Sequence, residues 1–187
     1  LRKEGMMAEG MGIFGEAAQA AAGMGIRISA EELAALASDR GMGEGEIAAV
    51  RTVFSYLAEQ RRQKTVDTLL RLSRLPSREP KTFEGFDFSR IQGRDAGMLR
   101  KLPALADLYA HRNIAFIGPE GIGKTHLAQA YGRACCMKGL RTYYLKASEL
   151  RDRLSRAAER GSVQRGVAAL VKPSCLIVDE IGRCRFD

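Results

Sequence analysis

Gly118, Gly123, Lys124 and Thr125 lie within FIGPEGIGKTHLAQAYG, residues 116–132, and fill every fixed position of the spacing G-x-x-x-x-G-K-[S/T]. That spacing is suited to phosphate chemistry. Gly118, Gly121 and Gly123 lack a Cβ, so the loop can take positive φ and turn its N–H groups inward around an anion. A helix beginning at Lys124 would add the positive end of its dipole. In such a cradle Lys124 reaches the β- and γ-phosphates of ATP, and the Thr125 hydroxyl ligates Mg2+. The candidate nucleotide contacts are Gly118, Pro119, Glu120, Gly121, Ile122, Gly123, Lys124, Thr125 and His126. The bland alternative is a glycine-rich strand-to-helix turn with an incidental lysine, and a second motif weighs against it. In CLIVDEIG, residues 175–182, four apolar residues predict a strand buried on both faces, with Asp179 at its C-terminal end. There Asp179 can hold Mg2+ through water, and Glu180 can orient and deprotonate an attacking water. Two carboxylates after a strand can also cap a turn, but the phosphate loop upstream decides for the nucleotide. A Glu beside the Asp favours hydrolysis over simple holding, which makes Glu180 and Lys124 the catalytic candidates.

These groups need a framework to hold them. Asn113–Ile117 is a short apolar run with strand propensity that ends at a glycine. Lys124 to Lys138 reads as a helix with Leu127, Ala128, Tyr131, Ala134 and Cys135 on one face and Gly139 as its stop. A strand over Thr142–Lys146 follows, then a helix capped by Ser148 and stopped by Gly161, a short helix before Pro173, and the acidic strand. The core over 113–187 therefore reads βαβαβ, an α/β fold with a parallel sheet, right-handed crossovers and flanking helices. Upstream, residues 77–112 read as a linker and lead-in helix. PSREPKTFEGFDFS carries Phe83, Phe86 and Phe88, which either dock the linker onto the core or cover an adenine, with docking the safer reading. A helical stretch over Ala104–Arg112 has Pro103 near its start. Residues 29–76 read as a small helical region: Ser29 caps a helix over Ala30–Ala37, and residues 46–74 form the longest helical candidate, ended by Pro76. Residues 1–28, rich in Gly, Met and Ala with little periodicity, predict a mobile arm.

The charge is unevenly placed. Residues 1–50 carry four basic and eight acidic side chains, residues 51–101 twelve and six, and residues 102–187 fourteen and eight, within a chain of net charge +8. A basic two-thirds suggests a polyanionic partner, most simply nucleic acid, although such a face can also be only solvated surface. Arg61, Arg62 and Lys64 are exposed in the middle of the long helical candidate. No apolar run approaches membrane-spanning length and the beginning lacks a secretory apolar region, so no membrane partner is expected and the expected location is the cytoplasm. Cys135, Cys136, Cys175 and Cys184 lack metal-ligand spacing and read as reduced packing residues, and His126 as a packing or capping group.

With these residues assembled, the chain resembles the IstB-like helper ATPases of insertion sequences, AAA+ relatives of the DnaC helicase loaders. The resemblance covers about residues 50–187. It rests on KTFEGFDFS, GPEGIGKTHLAQAYGRAC, KGLRTYYLKASEL and LIVDEIG. It implies a P-loop NTPase core of AAA+ (ASCE) type and an ATP- and Mg2+-dependent homo-oligomer that binds double-stranded DNA without sequence preference and assists a transposase. A replicative helicase loader and a nucleotide- or DNA-binding fragment without turnover are the alternatives. GRCRFD, residues 182–187, departs from the family phrase. The resemblance also implies two further core strands after the acidic strand, with a sensor residue and an arginine finger. Hence the chain reads as a fragment whose own hydrolysis is doubtful.

Overall fold

The computed structural model describes residues 2–93 and 96–184, with side chains from residue 12 onward. The chain forms two compact units, Leu1–Thr65 and Val66–Asp187.

In the first unit, α1 runs over Arg2–Gly23, α2 over Ala30–Arg40, and the long helix α3 (Glu44–Leu72) begins here. A mobile arm was the expectation over residues 1–28, yet most of that stretch is helical. Its second half, Ala17 to Ala22 around Gln19, is built of the residue with the lowest helical cost, which outweighs the scattered glycines. Ala17 and Ala21 are buried. Ser29 caps α2 as read from the sequence: its hydroxyl accepts from the Glu32 N–H at 3.1 Å, and Glu32 accepts from the Ser29 N–H at 2.7 Å. Gly41, with φ of 64°, ends α2 three residues later than expected. The Arg51 guanidinium ion-pairs with Glu16 at 2.7 Å, and Arg61 donates to the Met24 carbonyl, tying the end of α1 to α3.

In the second unit, the strands β1 (Thr142–Lys146) and β2 (Cys175–Asp179) pair in parallel, with Thr142 opposite Cys175 and Lys146 opposite Asp179. A parallel pair needs a crossover, and α7 (Ala147–Glu159) and α8 (Val163–Leu170) supply it. The helix α6 (Lys124–Met137) packs on the sheet, burying Leu127, Tyr131, Cys135 and Cys136. Close approach is possible because Gly132 has no side chain: a Cβ there would lie 2.5 Å from Ile177 Cδ1. The Thr142 hydroxyl, buried, donates to the Gly132 carbonyl at 3.1 Å. Two short helices, α4 (Ala96–Leu99) and α5 (Ala106–Tyr109), lie upstream.

Three sequence expectations are corrected. Asn113–Ile117 is not a strand: the described residues contain a two-stranded sheet, and this segment has no ladder partner in it. Strand geometry is stable only with a hydrogen-bonded neighbour, so apolar character alone does not secure it. Ile114 and Phe116 nevertheless pack against the core, while Ile117 is 90% exposed. Ser148 does not cap α7, which starts one residue earlier with no side-chain cap. The lead-in helix is broken at Leu105, whose φ of 55° separates a 3-10 turn over Leu102–Ala104 from α5. Among the described residues, no helix is long and apolar enough to cross a membrane.

Candidate nucleotide-binding site

The loop Gly118–Gly123 leads directly into α6, whose N-terminus carries no side-chain cap. Among the described residues, the backbone N–H groups of Gly121, Gly123, Lys124 and Thr125 bond to no acceptor. Four donors beside a helix N-terminus form a site suited to an anion. Gly123 is required there on two counts. Its φ is +92°, and a Cβ would fall 2.5 Å from Cε2 of Phe86. The Lys124 ammonium lies across the loop, donating to the carbonyls of Gly118 at 2.8 Å and Pro119 at 2.5 Å.

The acidic strand brings its carboxylate to the same place. Thr125 Oγ1 donates to Asp179 Oδ1 at 3.1 Å, so the two oxygens expected to share a cation are neighbours although 54 residues apart. Hard oxygen donors of this kind suit Mg2+. The other carboxylate oxygen, Asp179 Oδ2, accepts from the Tyr144 hydroxyl at 2.8 Å, and the Glu180 N–H donates to Oδ1 at 2.9 Å. Tyr144 in turn receives Gln129 Nε2 at 3.5 Å. Burial, reinforced by the bond to Asp179, pushes the Tyr144 phenol up to about 12, so it stays protonated as a donor.

Glu180 lies just past the strand in a left-handed conformation, φ 58°, which is uncommon for a residue with a Cβ. Its carboxylate pairs with Lys146 Nζ at 3.1 Å. Glu120, in the loop, pairs with Arg183 at 2.5 Å, and this guanidinium holds the Glu120 carboxyl below its ordinary value. His126 meets the Thr82 carbonyl through Nε2 at 2.8 Å and stacks edge-on with Phe86 at 5.1 Å between centroids. Phe83 is buried edge-on against Tyr131, and Phe86 and Phe88 pack on the core, so the linker phenylalanines dock. Cys135, Cys136 and Cys175 are buried thiols; burial pushes Cys136 up, and the bond to Cys175 pushes Cys135 up.

The structure thus brings Lys124, Thr125, Asp179 and the loop glycines together and sets Glu180 beside them. Sequence reasoning missed Tyr144 and Lys146. The parallel register was the signal that could have found them, because Lys146 is opposite Asp179. Arg185 and the rest of the tail phrase beyond Cys184 lie outside the described residues.

Comparison with known proteins agrees with this geometry. The family model described as IstB-like ATP binding protein matches residues 22–187. A protein named as an ATP-binding protein of insertion sequence IS5376, from Geobacillus stearothermophilus, is 38% identical over 128 residues, 68% of this chain and 50% of the relative. One named likewise for IS232 of Bacillus thuringiensis is 31% identical over 71% of this chain and 52% of the relative. One named for IS21 of Pseudomonas aeruginosa is 35% identical over 65% of this chain and 45% of the relative. The chain therefore spans about half the length of the curated relatives it matches.

Proposed function

This chain belongs to the family of IstB-like ATP binding proteins, and from that premise we propose that it binds and hydrolyses Mg-ATP to assist a transposase on duplex DNA. The observation that carries the nucleotide part is the meeting of the uncapped α6 N-terminus and Lys124 with the Thr125–Asp179 pair. Loop N–H groups would hold the β- and γ-phosphates, and Lys124 would exchange its two carbonyl partners for phosphate oxygens. Thr125 and Asp179 would hold Mg2+, which neutralises charge on the phosphate oxygens when bound. Tyr144 would keep the Asp179 carboxylate oriented. Glu180 would take the proton of the attacking water, for which its carboxylate must be released from Lys146. An arginine from a neighbouring subunit, worth about 10³–10⁵ in rate in phosphoryl transfer, would complete the site in a homo-oligomer.

The insertion-sequence reading is favoured over a helicase loader by the names of the similar proteins, which pair ATP binding with insertion sequences. The basic balance of residues 51–187 supports a DNA partner. Titration with a fluorescent ATP analogue tests the site. Lys124→Ala removes a charge-assisted contact, with an expected loss of about ten- to a hundredfold in affinity. A mutant that binds within a factor of two of the parent would overturn the phosphate-loop assignment. Glu180→Gln, by contrast, should keep binding and lose phosphate release; retained turnover would remove Glu180 from its role, and lost binding would make it a nucleotide contact.

A further inference from the structure

The exposed basic residues in the middle of α3 are largely engaged. Arg61 donates to the Met24 carbonyl, and Arg62 is held by Glu59 through two bonds at 2.7 and 2.6 Å. A guanidinium already matched to a carboxylate has little net charge to offer a phosphate. A further net-basic stretch remains: residues 141–172 hold eight basic side chains and three acidic ones, a net of +5.

We propose that duplex DNA is held through its phosphates on the α7–α8 face, by Arg153, Arg156, Arg160 and Arg165 beside Tyr143. This deepens, and rests on, the DNA part of the function proposed above. Arg153 and Arg156 on α7 and Arg160 at its C-cap are exposed and spaced three and four apart, so they follow one edge of the helix and its end over a length of ~10 Å. Glu149 is one turn before them on that edge, but Arg74 neutralises it at 2.8 Å. Asp152 lies off this edge and pairs with Arg151 at 3.0 Å. The Tyr143 ring is flanked by two guanidinium carbons, Arg74 at 5.8 Å and Arg153 at 5.3 Å, and the Tyr143 hydroxyl accepts from Arg74 at 3.2 Å. Stacking of this kind holds an arginine extended at low entropic cost, with its N–H groups free around the rim. Arg156 spends only Nε, on the Asp152 carbonyl at 3.0 Å, which leaves its terminal amino groups outward. Arg160 and Arg165 make no side-chain hydrogen bond or ion pair among the described residues. Tyr143 and Arg153 also line an open groove of about 480 Å³ between β1, α7 and α8, so this cluster is a face and not a closed core. The ligand chemistry that matches is a polyanion read through its backbone: unpaired guanidinium groups that outnumber the one carboxylate there without a partner among the described residues, Glu159, and no set of amide side chains for base edges.

The experiment is binding of the chain to a labelled 30-base-pair duplex of arbitrary sequence by fluorescence anisotropy over a salt series. Removing one arginine–phosphate interaction should flatten the logarithmic salt slope by about 0.9. Arg156→Gln, Arg160→Gln and Arg165→Gln combined should weaken binding at least tenfold at low salt and flatten the slope by roughly two to three. Fluorescent-nucleotide affinity should stay within a factor of two in this variant, which controls for folding. The combined Arg61→Gln, Arg62→Gln and Lys64→Gln variant should keep the parental slope. Should that α3 variant lose the slope while the α7–α8 variant keeps it, the inference fails and the DNA reading stands. A parent that shows no salt-dependent duplex binding would instead overturn the DNA reading itself.

Discussion

Tyr144→Phe isolates one bond in the nucleotide site. The substitution keeps the ring and deletes the hydroxyl that donates to Asp179 Oδ2 at 2.8 Å. The opposite oxygen keeps both its donors, Thr125 Oγ1 at 3.1 Å and the Glu180 N–H at 2.9 Å, so the carboxylate stays in place but can rock about them. A hydrogen bond to a charged group is worth about 1.5–3 kcal/mol net, which is ten- to a hundredfold in an equilibrium constant. Deleting the partner of a metal-binding carboxylate typically costs about 10–100-fold in metal affinity. The two ranges agree, and the expected change is a Mg2+ midpoint raised by about ten- to a hundredfold. The assay is titration of Mg2+ into protein with a fluorescent ATP analogue at fixed concentration, with a parallel nucleotide titration in EDTA. In EDTA the variant should match the parent within a factor of two, because the loop N–H groups and Lys124 are untouched. An unchanged Mg2+ midpoint would refute the orienting role of Tyr144. An equal loss in EDTA would refute it too, showing a general disturbance of the strand pair.

Other substitutions probe the framework. Gly123→Ala places a Cβ 2.5 Å from Phe86 at φ +92°, costing about 1–2 kcal/mol from the left-handed backbone alone; nucleotide should then no longer raise the melting temperature, and adding Phe86→Ala should recover only the part due to the clash. Gly132→Ala drives a methyl to 2.5 Å from Ile177 Cδ1 and 3.0 Å from Thr142 Cγ2, so thermal unfolding should show a loss of about 1–3 kcal/mol, relieved in part by Ile177→Val. In amide hydrogen exchange, Leu145 and Ile177 should be protected by the ladder, while residues 114–117, outside it, should exchange rapidly.

Local rules were legible where one residue decides the outcome. The Ser29 cap and the bounds of β1 were read directly from residue type and spacing, and the structure adds the reciprocal bond from Glu32. The phosphate loop and the acidic strand were legible because their chemistry tolerates few substitutes. Long-range geometry was less visible. Residues 113–117 have strand composition, but a ladder is a property of two segments, and the segment itself says nothing about its neighbour. Leu105 takes a left-handed turn that no glycine or asparagine announces. Tyr144 and Lys146 acquire their partners only once the register is set, which brings Lys146 beside Asp179 and places the Tyr144 hydroxyl on the carboxylate. Arg61, exposed by its neighbours in sequence, is committed to a carbonyl 37 residues away.

The linker phrase gains a physical role from the same geometry. Upstream of the phosphate loop, Ile114 and Phe116 pack on the core, and among the described residues the lead-in segment has no ladder partner. Downstream, the first turn of α6 is held by two residues of KTFEGFDFS: the Thr82 carbonyl meets His126, and the Phe86 ring lies against Gly123. Phe83, buried on Tyr131, fixes the linker to the middle of α6. The helix N-terminus that would receive a phosphate is therefore held from two sides, by the linker and by the Thr125–Asp179 bond to the sheet. Removing the linker rings should displace the N–H groups of Gly123 and Lys124 while leaving the Thr142–Cys175 pairing intact, because none of the three rings lies between the strands. The requirement for an aromatic at position 86 and for glycine at position 123 is one requirement: a flat ring can rest on the loop only where the loop has no Cβ.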